Sequence, residues 1–194
     1  MTTANKITIM RILLVPLFIV QTLYYVETGK DWHRLLALFS FVAAATSDAV
    51  DGFIARRYNQ RSELGSILDP LADKMLLVSG VILLSLDNEP HLPRVPIFFT
   101  ATVLSRDVLL IVGLTVIYYI CGKVQVRPIL VGKAATVLQM ATVLWAMLKW
   151  KPGYVVWWAG GAALATGISG LIYILEGVRQ LSASPSSAAS PRQE

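Results

Sequence analysis

Apolar residues in this chain run in long blocks, each closed by a short polar break. Six blocks can be drawn: about Ile7 to Val26, Arg34 to Arg56, Leu64 to Leu86, Val95 to Ile120, Ile129 to Leu148 and Tyr154 to Val178. Each is close to the roughly 20 residues that a helix needs to cross the hydrocarbon core of a bilayer. None alternates polar and apolar positions with period two, which argues against strands. The pattern predicts an all-α integral membrane protein, a six-transmembrane-helix bundle. It forms one membrane domain over residues 1–181. The remaining segment, 182–194, reads SASPSSAASPRQE, and its Ser, Ala and Pro content predicts a disordered tail.

Composition agrees with the pattern. Of 194 residues, 55% are hydrophobic and only 15% charged, and the mean hydropathy is +0.61. The first block has a basic start but is long and lacks a small-x-small cleavage site, so it is expected to be retained. Cys121 is the single cysteine, which excludes an intrachain disulfide.

The net charge of +5 is unevenly distributed. With a cytoplasmic N-terminus, Lys6, Arg11, Arg56, Arg57, Arg61, Lys74, Lys123, Arg127, Lys133, Arg179 and Arg192 fall on or near the cytoplasmic side. Lys30, Arg34, Arg94, Lys149 and Lys151 fall outside. This bias predicts six spans with both termini in the cytoplasm. Membrane lipids, not nucleic acid, are the expected partners of most of these charges. Trp145, Trp150, Trp157 and Trp158 read as an aromatic belt at the outer interface.

One polar stretch changes the picture. Between the second and third blocks lies SDAVDGFIARRYNQRSELGSILDPLADK, from Ser47 to Lys74. Asp48, Asp51, Gly52 and Ala55 stand at offsets 0, 3, 4 and 7, and Gly65, Asp69 and Asp73 at offsets 0, 4 and 8. Each set shares one face of a helix. A short basic connection joins the two helices, so the two carboxylate faces are expected to meet at one depth. Four close carboxylates repel one another in a poorly solvated site, and divalent cations resolve that conflict. With no thiolate or imidazole beside them, the oxygens suit Mg²⁺, Mn²⁺ or Ca²⁺ and not zinc. His33 and His91 fall on the opposite side of the predicted topology. Four carboxylates suffice for a two-metal site of the kind that handles phosphoryl displacement.

Gly52 and Gly65 allow either close helix packing or close approach of a substrate. Arg56 lies one residue past the carboxylate face, within reach of a phosphate. On spacing alone two other readings stand beside the enzyme: a carboxylate-lined ion or proton pathway, and structural ion pairs with Arg56, Arg57 and Lys74.

The pattern D-x2-D-G-x2-A-R-x8-G-x3-D-x3-D runs without a gap from Asp48 to Asp73. It resembles the signature of the CDP-alcohol phosphatidyltransferases, and the opening NKITIMRILLVP is similar to that of bacterial members that make phosphatidylglycerophosphate. The resemblance implies six transmembrane helices, commonly paired as a homodimer, with the active site open to the cytoplasm. In a bacterium the location would be the inner membrane. It implies transfer of a phosphatidyl group from CDP-diacylglycerol to an alcohol, with release of CMP. By the same resemblance Asp48, Asp51, Asp69 and Asp73 hold two divalent cations, Mg²⁺ or Mn²⁺, and Asp73 is the base toward the acceptor hydroxyl. Gly52, Arg56 and Ser62 contact the CDP-diacylglycerol headgroup, and Ala55 and Gly65 give the nucleotide room.

For the acceptor, the candidates are Arg106, Arg127 and Lys133. Arg106 sits in the middle of an apolar block, where it either contacts an acceptor phosphate or pairs with a buried acid such as Asp107. The run VGKAATVLQM, with Lys133, favours glycerol 3-phosphate, a dianion that basic residues would bind. The triplet SRD, Ser105 to Asp107, resembles instead the cardiolipin synthases of the same family, whose acceptor is phosphatidylglycerol. In the last block Gly161, Ala165, Gly167 and Gly170 predict a small-residue face for close packing.

Overall fold

A computed structural model describes residues 3–182, apart from 59–62 and 122–129; for 3–7, 48–58, 63–70, 121 and 180–182 it describes the backbone alone. The tail 183–194 therefore lies outside the described residues. Among the described residues six α-helices follow in order: α1 (Thr3–Thr28), α2 (Asp31–Tyr58), α3 (Glu63–Ser85), α4 (Ile97–Cys121), α5 (Leu130–Leu148) and α6 (Val155–Ser182), with a 3-10 turn at Pro152–Tyr154. They follow the six apolar blocks to within a few residues. Four stretches among the described residues are long and apolar enough to cross a membrane: Thr8–Thr28, Ile97–Ile120, Leu130–Leu148 and Pro152–Arg179. The other two helices, α2 and α3, carry the acidic motif.

The core holds apolar residues such as Phe18, Phe41, Leu76, Leu84 and Phe99, and it is the exterior that departs from a water-soluble fold. The outward residues are large and apolar, with Tyr119 82% and Trp157 78% exposed, alongside Leu164, Leu171 and Leu175. Beside its apolar residues the buried set includes small polar groups: Thr8, Thr22, Ser40, Thr100, Gln139, Thr142, Thr166 and Ser169. Lipid removes the incentive to bury leucine, so helices associate through close steric fit and hydrogen bonds. Gln139 Nε2 donates to Thr166 Oγ1 at 2.6 Å, and Thr166 Oγ1 donates in turn to Ala162 O at 2.6 Å. This is an integral membrane protein.

The chain forms two compact units. The first comprises residues 1–95 and 140–155, the second 96–139 and 156–194. In the first, α1 packs against both α2 and α3. The buried face of α1 is Thr8, Arg11, Val15, Phe18, Thr22 and Tyr25, none more than 2% exposed. Their spacing of three and four is the seam by which one helix packs along another. Gly80 on α3 brings the backbone close to α5 and α2: a Cβ there would meet Val143 at 3.0 Å and Phe41 at 3.5 Å.

Helix ends are closed locally. Gly29 ends α1 with φ +69°, and its N–H donates to Tyr25 O at 2.8 Å, the left-handed closure that glycine supplies without strain. A Cβ on Gly29 would also lie 2.6 Å from His91 Cε1. After α3, Asn88 is buried and its Nδ2 donates to Leu83 O at 2.6 Å. Val95 N–H returns to Leu84 O at 2.8 Å. These bonds satisfy carbonyls that the helix end would otherwise leave open.

In the second unit the small-residue expectation for α6 is corrected. A Cβ on Gly161 or Gly167 would meet nothing within 4 Å, whereas one on Gly170 would meet Arg106 Cγ at 3.4 Å. Among the described residues of α6 in this unit, the buried positions are Ala159, Ala162, Thr166 and Ser169. Small side chains other than glycine thus make most of the packed face.

Candidate active site

The motif aspartates lie on consecutive helices of the first unit. Asp48 and Asp51 stand in the last turns of α2, which ends at Tyr58; Asp69 and Asp73 stand in the first turns of α3, which begins at Glu63. At 1.5 Å per residue, Asp48 and Asp73 are each about 15 Å along the axis from those helix ends, and Asp51 and Asp69 about 9–11 Å. From Tyr58 to Glu63 the chain cannot span more than about 19 Å, and α2 touches α3. Such a short connection makes the helices antiparallel neighbours. Asp48 and Asp73, and likewise Asp51 and Asp69, thus stand at nearly equal distances along their helices from Tyr58 and Glu63.

The side chains of Asp48, Asp51, Gly52, Ala55, Arg56, Gly65 and Asp69 lie outside the described residues, as do Ser62 and Arg127 altogether. Among the described residues no group of three metal-ligating side chains occurs. The donor set on these two helices consists of carboxylate oxygens, which fits a hard divalent cation.

His33 and His91 belong to the other end of the unit. His33 Nδ1 is 2.7 Å from Gln21 Oε1 and its ring stacks on Tyr24 at 5.5 Å. His91 packs against Tyr25, ring centroids 5.8 Å apart. Arg11 and Tyr25 share α1, so this end is about 21 Å along the helix from Arg11. Nearby, Lys149 Nζ donates to Tyr25 OH at 3.1 Å, and Trp145 stacks on Trp150 at 5.1 Å.

Asp73 is the one motif carboxylate whose contacts are described. Its Oδ1 lies 3.3 Å from Nη1 of Arg11; the Arg11 side chain is 0% exposed and that of Asp73 31%. Arg11 was counted above among the charges that set topology. It is instead buried on the α1 seam and neutralised by an acid on α3. The sequence held a signal for this: Arg11 lies four residues before Val15 and seven before Phe18, on the face that packs inward.

The second unit contains a separate charged centre. Arg106 on α4 is 8% exposed. Its Nη1 donates to Asp107 Oδ1 at 2.9 Å and its Nη2 to Ser169 Oγ at 3.3 Å. Its guanidinium lies 5.8 Å from the Tyr173 ring centroid. Two glycines make room for it. A Cβ on Gly132 would meet Ser169 Oγ at 3.3 Å and both Arg106 Nη2 and Tyr173 OH at 3.4 Å; Gly170 lies against Arg106 Cγ. Nε of Arg106 is buried and has no partner among the described residues. Of the two roles expected for Arg106, the ion pair with Asp107 is present. The guanidinium keeps donor capacity beyond it. Lys133 follows Gly132 on α5 and is exposed. Ser169, Tyr173 and Gly132 were not singled out as partners of Arg106, because nothing in a single sequence links α4 to those positions.

Comparison with known proteins gives this arrangement a class. The family model of CDP-alcohol phosphatidyltransferases matches residues 1–169, and the chain belongs to that family. It is 30% identical over 154 residues to the CDP-diacylglycerol--glycerol-3-phosphate 3-phosphatidyltransferase of Escherichia coli strain K12, covering 79% of this chain and 80% of that protein. Proteins of the same name from Shigella sonnei and Salmonella typhimurium match with the same identity and coverage. The chain is thus a membrane transferase of phospholipid biosynthesis that moves phosphatidyl groups, and the ion-pathway alternative falls.

Proposed function

We propose that the protein transfers the phosphatidyl group of CDP-diacylglycerol to sn-glycerol 3-phosphate, giving phosphatidylglycerophosphate and CMP. The observation that carries this reading is the similarity, over 79% of this chain and 80% of the relative, to proteins named for that reaction. Asp48, Asp51, Asp69 and Asp73 hold two divalent cations, Mg²⁺ or Mn²⁺. When bound, the cations neutralise the pyrophosphate under attack and the departing CMP. Asp73 takes the proton of the acceptor hydroxyl as its oxygen bonds to phosphorus and the bond to CMP breaks. Gly52, Ala55, Arg56, Ser62 and Gly65 bind the cytidine diphosphate head.

Arg106, Arg127 and Lys133 bind the acceptor phosphate. The buried donors of Arg106 support that role, since a guanidinium fork in a poorly solvated place is well suited to a dianion. In this reading all six helices span the inner membrane of a bacterium, both termini are cytoplasmic, and two copies pair as a homodimer. A second acceptor, phosphatidylglycerol, is favoured by the triplet Ser105–Arg106–Asp107 alone.

The test is an acceptor panel. Purified protein in detergent receives CDP-diacylglycerol, Mg²⁺ and one alcohol at a time, CMP is measured, and the lipid product is identified by mass. Phosphatidylglycerophosphate is the expected product. Cardiolipin would transfer the assignment to the second acceptor, and absence of CMP with every alcohol would refute the transfer itself.

A further inference from the structure

We propose that Arg11 is a positioning residue for phosphatidyl transfer: from the buried seam of α1 it holds the Asp73 carboxylate in one orientation on α3. The inference rests on the reading of Asp73 as the group that receives the acceptor's proton.

Three observations lead to it. First, the place is costly. Arg11 shares its seam with Thr8, Val15, Phe18, Thr22 and Tyr25, all buried, and a guanidinium removed from water is stabilised only by a partner of opposite charge. Second, the partner is Asp73, reached across the α1–α3 contact at 3.3 Å. Third, the pair is asymmetric. Arg11 is wholly enclosed, whereas the Asp73 side chain is 31% exposed. One side of the carboxylate is therefore anchored to a cation inside the protein, while the side chain keeps partial exposure. An anchored carboxylate samples fewer rotamers, so the oxygen that must meet an incoming hydroxyl is held in place before the substrate arrives.

A purely structural tie between α1 and α3 would use the same contact. The two roles differ in what they change. A tie that only stabilises would lower the unfolding midpoint and leave turnover per folded molecule alone. A positioning contact lowers turnover in protein that is still folded, and does so without altering the affinity for either substrate.

The experiment compares Arg11→Lys and Arg11→Met with the wild-type protein in detergent, using whichever acceptor gives wild-type CMP release. Unfolding midpoint, kcat, and KM for donor and acceptor are measured per folded protein. Arg11→Met is expected to lose about a hundredfold in kcat, the effect of roughly an ångström of misplacement. Arg11→Lys retains a cation on a different stem, so it is expected to recover about tenfold of that loss, with both KM values within about threefold of wild type. If Arg11→Met does not fold, Arg11→Lys decides alone: about tenfold below wild type in kcat, at a wild-type midpoint, supports positioning. Wild-type kcat in folded Arg11→Lys, or losses confined to the midpoint, overturns this inference and leaves the transfer reading intact. Wild-type silence with every acceptor overturns both.

Discussion

Nη1 of Arg106 donates to Oδ1 of Asp107, its neighbour in the chain, at 2.9 Å, and both side chains are about nine-tenths buried. Two adjacent residues on a helix ordinarily diverge by about 100°. Here the long arginine side chain turns back to meet the short acid. Removing the acid would strand a buried cation. Asp107→Asn is therefore expected to destabilise the protein by about 3–5 kcal/mol, the usual cost of breaking a buried pair from one side. Denaturant titration in detergent reads that loss directly; an unchanged transition would show that Arg106 finds other neutralisation.

Gly132 lies beside the Arg106 guanidinium: a Cβ there would stand 3.4 Å from Nη2. A Cβ at that position would press only on Ser169 Oγ, at 3.3 Å, and would touch Arg106 and Tyr173 at ordinary contact distance. Gly132→Ala should be mild and Gly132→Val severe, because a branched side chain displaces the guanidinium outright. The expected signature for Gly132→Val is a KM for glycerol 3-phosphate raised about tenfold, with a smaller change for CDP-diacylglycerol. Equal changes for both substrates would take Arg106 out of acceptor binding.

Arg127→Ala and Lys133→Ala test the other two acceptor candidates. Each removes one positive charge that a dianion would use. The apparent requirement for glycerol 3-phosphate should rise more than that for CDP-diacylglycerol, by about tenfold if a single charge-assisted contact is lost. Initial rates over a grid of both substrates separate the two dependences.

Asp69→Asn removes a charge from the motif while keeping the side chain's size. Transfer should fall to background, and Mn²⁺ affinity, followed by paramagnetic resonance without substrates, should weaken with it. Ligand and near-ligand changes typically cost 10–100-fold in metal affinity, so about that range is expected. Full activity in this variant would contradict the two-cation reading.

Gly29→Ala probes stability far from the motif. Its φ of +69° is unfavourable for any residue with a Cβ, and that Cβ would collide with the His91 ring. The expected cost is about 1–3 kcal/mol, seen as a lower unfolding midpoint with kcat of the folded protein unchanged.

Much of this was readable from residue order. The six helices could be drawn from apolar blocks because a bilayer imposes a length that sequence displays directly. The places of Asp48 and Asp51 in the last turns of α2, and of Asp69 and Asp73 in the first turns of α3, were legible from the break between two apolar blocks. Arg11 was not read correctly, since a basic residue near a predicted cytoplasmic end is usually a topology charge; only the seam pattern on α1 distinguishes it. Gly161 and Gly167 misled for a related reason. Small residues permit close packing but do not require it, and the packed face of α6 is set by Ala159, Ala162, Thr166 and Ser169. Apart from Asp107, the residues around Arg106, namely Gly132, Ser169, Gly170 and Tyr173, lie 26 to 67 positions further along the chain, beyond what helical periodicity can connect.

The leucine-, tryptophan- and tyrosine-bearing exterior has a practical corollary. With so much large apolar surface facing outward, cohesion also depends on what surrounds the molecule from without. Annular lipid is then a structural component, and exhaustive delipidation during purification should slacken the helices well before any covalent change is made.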